Sequence, residues 1–150
     1  MINKKILLVG ANGIIGKDLY EYLSDNFLLQ TIVSNRCENK KYDFAVDLRD
    51  KVEVDKVISR IEPFSVLIFL VGLAHSKGSS AQFEDFYDSN FNTLKNLLSS
   101  LSDNEIKPDK IIYTSSISVY GERLDVSSYQ EDSLLIPKSP YAKTKLMAEN

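Results

Sequence analysis

The chain has 150 residues, 43% hydrophobic and 26% charged, which is the size and composition of one globular domain with a core of its own. A formal net charge of −3 argues against the basic face of a nucleic-acid binder, and the single cysteine, Cys37, excludes an internal disulfide and a cysteine-built metal site. No apolar run approaches the roughly 18 residues of a membrane span, and the run between Lys5 and Gly10 is too short for a signal-peptide core, so a cytoplasmic protein without membrane or nucleic-acid partners is expected.

Ile6 to Val9 is a short apolar run leading straight into Gly10, Gly13 and Gly16, spaced three apart. After them the period becomes helical, through Ile15, Leu19, Tyr22 and Leu23. Strand, glycine turn and helix together bring a backbone close to a phosphate. Gly10 permits the turn, Gly13 leaves room for a pyrophosphate, and Gly16 lets helix pack on strand. The helix N-terminus adds unpaired N–H groups and a partial positive charge. The candidate cradle is therefore Gly10, Asn12, Gly13, Ile14, Ile15 and Gly16.

The helix fades at Ser24-Asp25-Asn26, and Phe27 to Val33 reads as a second buried strand ending in Ser34-Asn35-Arg36. An acid often stands there in a NAD-binding fold, to accept from the adenosine ribose. None occurs between Gln30 and Cys37, and Arg36 could instead pair with the extra phosphate of NADP. Tyr42 to Leu48 reads as a third strand. Asp50 with Glu53 has the spacing of a capping box, opening a helix with Val54, Val57, Ile58 and Ile61 on one face and Pro63 as its stop. Ser65 to Val71 is apolar enough to be buried on both faces, as in the centre of a parallel sheet, with Gly72-Leu73-Ala74-His75 at its end. Ser76 to Ser80 reads as a polar loop.

From Phe86 a helical period runs through Phe91, Leu94, Leu97, Leu98 and Leu101 until Asn104 to Lys110 breaks it. Ile111 to Ser116 reads as the fifth strand and Leu124 to Lys138 as a loop. Ser139-Pro140 reads as an N-cap with proline at the first helical position, on a last helix carrying Tyr141, Lys145 and Met147. Alternating strands and helices mean βαβ units, right-handed crossovers and an open, doubly wound parallel sheet of three layers, ordered 3-2-1-4-5. The ends of strands one, four and five then face one crevice, with Val71 and Gly72 beside the glycine turn.

Tyr141 and Lys145 stand four apart on one helix face. Tyrosine is a poor base at neutral pH, but a nearby ammonium favours phenolate. A tyrosine so tuned can take a proton from an alcohol while hydride leaves, or return it to a ketone. Taken alone, this spacing is common on ordinary helix surfaces. It gains weight from Ser115-Ser116-Ile117-Ser118-Val119-Tyr120-Gly121 at a strand end and Ser139-Pro140-Tyr141 ahead of Lys145.

With the three glycines in the same order and spacing, these segments make the whole chain resemble the extended short-chain dehydrogenase/reductase family, the NAD-dependent epimerase/dehydratase group acting on nucleotide sugars. The resemblance implies a Rossmann-like fold, an NAD or NADP cofactor, a nucleotide-sugar substrate and a homodimer in the full-length form. It implies Tyr141 as acid/base, Lys145 on the nicotinamide ribose and tuning Tyr141, and Ser116 on the substrate oxygen that becomes a carbonyl. Gly10, Gly13 and Gly16 would take the pyrophosphate, Asp47 and Leu48 would lie near the adenine, and Asn90 would open the fourth-helix motif. That motif usually has Gly-Thr where this chain has Thr93-Leu94. His75 is expected as a polar wall residue and Tyr120 as packing. The resemblance also implies a C-terminal substrate lobe beyond Asn150, so the chain reads as an incomplete NAD(P)-binding domain whose sheet has one bare flank. The alternatives are a 4-keto-sugar-nucleotide reductase using NADPH and a non-catalytic dinucleotide-binding module.

Overall fold

The computed structural model describes residues 4–74, 81–121 and 128–150. Among these residues five strands, β1 (Lys5–Val9), β2 (Leu28–Ser34), β3 (Phe44–Val46), β4 (Val66–Phe69) and β5 (Lys110–Tyr113), pair in parallel in the order β3-β2-β1-β4-β5. This is the doubly wound, Rossmann-like order that the alternation predicts. The helices are α1 (Ile14–Asn26), α2 (Lys51–Ile58), α3 (Phe83–Phe86), α4 (Thr93–Asp103) and α5 (Pro140–Glu149), with a π-helical stretch at Tyr87–Asn92 and a 3-10 helix at Ile117–Tyr120. Among the described residues no helix is long and apolar enough to cross a membrane.

The chain divides into two compact units, one of Met1–Val71 with Asn92–Thr114 and one of Gly72–Phe91 with Ser115–Asn150. The first holds the whole sheet. β1 is central, and Leu7, Leu8 and Val9 have no solvent exposure, which stabilises the unit by about 2 kcal/mol per side chain. Ile6 and Leu8 join Leu23 of α1, Val33, Tyr42 and Ile68 in one core cluster. By strand alternation Leu7, Val9, Leu67 and Phe69, all fully buried, belong to the opposite face. α2 and α4 pack on each other and bury Val54, Ile58, Leu97 and Leu101.

Several boundaries differ from the sequence reading. β3 is three residues, because only Phe44, Ala45 and Val46 find ladder partners on β2. Tyr42 and Leu48 are buried without being paired in the strand, so apolarity there marks core and not sheet. β4 is likewise shorter than its apolar run. β5 ends at Tyr113, and Thr114 N–H still reaches Phe69 O at 3.4 Å before Ser115 leaves the sheet. β5 stands at the sheet edge, where Ile111 and Ile112 remain 48% and 44% exposed. The capping box at α2 is half present. Asp50 accepts from the N–H groups of Val52 and Glu53, but Glu53 accepts from Lys56 and the Asp50 N–H goes to Asp47 O. α2 ends at Ile58, well before Pro63.

In the second unit α5 packs against α3 and the 3-10 helix. Ser139 caps α5 by accepting from Ala142 N–H, with Pro140 at the first turn, as expected. Phe83, Tyr87 and Phe91 stack in sequence at centroid spacings of 6.0 and 5.1 Å. Sequence periodicity reads one α-helix from Phe86, whereas the backbone widens into a π-helix at Tyr87–Asn92. Asn90 is its buried residue, fully enclosed and held by side-chain hydrogen bonds. Such widenings occur often where a side chain must be aimed.

Candidate functional site

The glycine turn lies in the first unit. Gly10 has a φ of +91°, a left-handed conformation that glycine adopts without strain, and a Cβ there would come within 3.2 Å of Val71 Cγ2. The structure thus brings Val71 against the turn. Gly10 O accepts from Gly13 N–H at 2.9 Å, closing the turn. At Gly16 a Cβ would stand 2.1 Å from Gly10 O and 2.9 Å from Ala11 Cα, so this glycine allows α1 to start directly on the turn. Gly13 is the N-cap of α1 and contributes no side-chain cap, and the first turn holds no acidic residue. Ile14 and Ile15 are 79% and 58% exposed. The helix end is open to solvent and uncapped, as an anion needs.

At the end of β3 lies a second feature of this unit. Arg49 clasps Asp47 with Nε and Nη2 at 2.9 and 2.5 Å, and its N–H adds a third bond at 3.1 Å. The guanidinium holds the Asp47 carboxyl down to about 2. Asn96, on α4, donates to Leu48 O and Arg49 O, both at 3.0 Å, and so braces the turn. Leu48 is buried. Arg36 is exposed, and its charge also favours the Asp47 carboxylate. Nothing in the sequence marks Asn96, since an asparagine in an amphipathic helix looks like a surface residue.

The catalytic candidates lie in the second unit. Tyr141 is half-buried, its ring edge-on to Phe86 at 6.2 Å, and Lys145 Nζ is 6.0 Å from the Tyr141 ring centroid. Lys145 is only 4% exposed. Burial pushes its amine down to about 8, while the Glu149 carboxylate one turn along opposes that shift. Glu149 also accepts from Ser115 Oγ. A Cβ on Gly72 would stand 2.9 Å from Asn90 Oδ1 and 3.0 Å from Lys145 Nζ, so Gly72, Asn90 and Lys145 meet at one point. Ser116 is the N-cap of the 3-10 helix. Its hydroxyl accepts from Ser118 N–H and donates to Ser118 Oγ, both at 3.2 Å. Tyr120 stacks on Tyr129 at 5.1 Å and so packs as expected. His75 and the Ser76 to Ser80 loop lie outside the described residues, as does the start of the Leu124 to Lys138 loop.

Thr144, one residue before Lys145 in the chain, is fully buried, and little in the sequence marks it. The signal was its place on the inner side of a helix whose neighbours carry charge, too faint to separate from an ordinary helical threonine.

A profile of the NAD dependent epimerase/dehydratase family matches residues 6–150. The chain belongs to this family. A UDP-glucose 4-epimerase of Oryza sativa subsp. japonica is 36% identical over 105 residues, covering 70% of this chain and 25% of its own length. Among solved structures, the UDP-Glc/GlcNAc 4-epimerase of Campylobacter jejuni superposes with a TM-score of 0.81 at 25% identity, over 97% of this chain and 47% of that one. The Thermus thermophilus UDP-glucose 4-epimerase, solved in complex with NAD, gives the same TM-score and identity, over 97% of this chain and 48% of that one. This chain thus spans less than half the length of these relatives.

Proposed function

We propose that this chain is the cofactor-binding and catalytic part of an NAD(P)-dependent enzyme that epimerises, dehydrates or reduces a nucleotide sugar. The observation that carries the reading is the buried Lys145, one helical turn from Tyr141 on α5. Burying an amine costs free energy that an ordinary surface lysine avoids, and family membership over residues 6–150 gives that placement a purpose.

The turn residues fit a dinucleotide phosphate. A side chain would be strained at Gly10 and would clash at Gly16, Gly13 leaves the start of α1 uncapped, and no carboxylate stands in the first turn. Gly10, Asn12, Gly13, Ile14, Ile15 and Gly16 would hold the pyrophosphate, with Asp47 and Leu48 near the adenine, and Val71, Gly72 and Asn90 are further candidates for the cofactor. When bound, the nicotinamide supplies the two-electron acceptor and donor. Tyr141 takes the proton from a sugar hydroxyl as that carbon is oxidised and returns it on reduction. The Lys145 ammonium stabilises the Tyr141 phenolate and binds ribose hydroxyls. Ser116 exchanges its bond to Ser118 for one to the sugar oxygen.

The test is Tyr141→Phe in the full-length protein, assayed with UDP-glucose and dTDP-glucose. Turnover is expected to fall by about 10²- to 10⁴-fold while cofactor binding persists. Normal turnover by this variant would sink the proposal. Arg36, with no acid between Gln30 and Cys37, favours a second reading, an NADPH-dependent reductase of a 4-keto-sugar nucleotide. Better turnover with NADPH than with NADH, lost in Arg36→Ala, would separate it from an epimerase, which consumes no cofactor.

A further inference from the structure

The second unit contains a buried polar chain that the proposed chemistry leaves unexplained. Asn90 Oδ1 accepts from Leu73 N–H at 2.7 Å, and this bond fixes which end of the amide is which. Nδ2 is therefore the group that reaches Leu73 O at 3.3 Å and Thr144 Oγ1 at 3.2 Å. The Thr144 hydroxyl, accepting there, has its own proton to give, and gives it to Tyr141 O at 2.9 Å. Asn90 and Thr144 are both fully buried. The backbone at Leu73 is thus joined through two side chains to the carbonyl of Tyr141. Lys145 follows Thr144 directly, and its Nζ lies in the space that a side chain on Gly72 would occupy.

A buried threonine in a helix often bonds back to a carbonyl of the preceding turn and needs no further purpose. Here the same hydroxyl also receives the fixed amide proton of Asn90, whose carbonyl oxygen and Lys145 Nζ both border Gly72. We propose that Thr144 is a positioning residue, whose hydroxyl, held by Asn90, fixes the turn of α5 carrying Tyr141 and Lys145 and so seats Lys145 against Gly72. Its importance for turnover rests on the function proposed above; its effect on Lys145 does not.

Two measurements separate these. The first is the rate at which an acetylating N-hydroxysuccinimide ester labels Lys145, read by peptide mass spectrometry against exposed Lys143 on the same helix. Thr144→Val removes the hydroxyl at nearly constant volume and is expected to raise the Lys145/Lys143 ratio about fivefold or more, while Thr144→Ser stays within about twofold of wild type. The second is turnover of UDP-glucose or dTDP-glucose by the full-length protein. Thr144→Val should lower kcat about tenfold with KM nearly unchanged, and Thr144→Ser should restore it. An unchanged labelling ratio in Thr144→Val, or equal effects of valine and serine, would overturn the proposal. Absence of turnover by the wild type would refute the activity and leave the labelling ratio to decide the role of Thr144. If Thr144→Val does not fold, Thr144→Ala carries the same expectation. Failure of both to fold beside a folded Thr144→Ser would make the hydroxyl a requirement of folding and overturn the proposal as well.

Discussion

The turn from Gly10 to Gly16 in the first unit offers a ligand little but backbone, whereas α5 in the second offers side chains that other side chains hold in place. The first is shaped by missing Cβ atoms, and its partial charge comes from aligned peptides. The second depends on a buried amine and a buried amide, each of which costs free energy unless partnered. A backbone site should fail when atoms are added. A side-chain site should fail when hydrogen-bonding groups are removed, and it should respond to pH.

Adding one atom gives the largest expected effect. In Gly16→Ala the new Cβ would stand 2.1 Å from a backbone oxygen that has no flexible end to move. The helix gains slightly from alanine, but the clash should destabilise the protein by about 3 kcal/mol or more. Urea unfolding measures the loss, and NADH titration by fluorescence should show binding abolished in whatever fraction remains folded. Wild-type stability in this variant would mean that α1 does not rest on the turn as described.

Removing the buried charge should do the reverse. Lys145→Met is expected to stabilise the protein at pH 7 by up to about 3 kcal/mol while destroying turnover. The sign follows from the protons. An unfolded lysine keeps its proton up to 10.5, and the folded one yields it near 8. Between those values the unfolded state binds more protons, so wild-type stability rises with pH there, and below the window the penalty is complete. The gap between variant and wild type should close from pH 8 to 10.5 in urea unfolding. Parallel curves would show that the amine is not desolvated.

Asn90→Leu tests the amide. It strips Leu73 N–H, Leu73 O and the Thr144 hydroxyl of a buried partner, at about 2 kcal/mol by urea unfolding. A loss within the error of the fit would show that these groups find other partners.

The same contrast explains what was legible beforehand. A turn built of backbone leaves its mark as a spacing of glycines after an apolar run: Gly10 has a φ of +91°, and a Cβ on Gly16 would meet Gly10 O at 2.1 Å. The strand order also followed, because alternating βα units admit few topologies. Gly121 is legible in the sequence only as part of a motif, and its reason is local: φ is +74° and a Cβ would meet Ile136 O at 2.2 Å. The side-chain network was less legible. Tyr141 and Lys145 share a helix face whatever the fold, but the Asn90–Thr144 bond spans 54 residues and starts from the buried residue of a π-helical stretch. No local pattern announces a π-helix, so its stretch read as ordinary helix. Tyr42 and Leu48 show the converse error, since apolar flanks extended β3 beyond its ladder.

The smallest expected effect blurs the contrast, for Asp47 is a side chain in the same unit as the backbone site. Its carboxyl lies near 2 instead of 3.8 because Arg49 donates to it. A depressed folded value contributes stability that is complete above pH 3.8 and disappears as pH falls through about 2. Arg49 is half exposed, so solvent screening leaves about 1 kcal/mol of this in Arg49→Met at pH 7. Titration of Asp47 by carboxyl carbon NMR should show its value rising toward 3.8 in that variant. Arg36→Met should raise it less, since Arg36 acts on Asp47 only through its charge. Equal shifts in the two variants would mean that charge alone sets this carboxylate and that the clasp by Arg49 adds nothing. The turn after β3 would then be held by Asn96 and the backbone, and would resemble the glycine turn more than the network on α5.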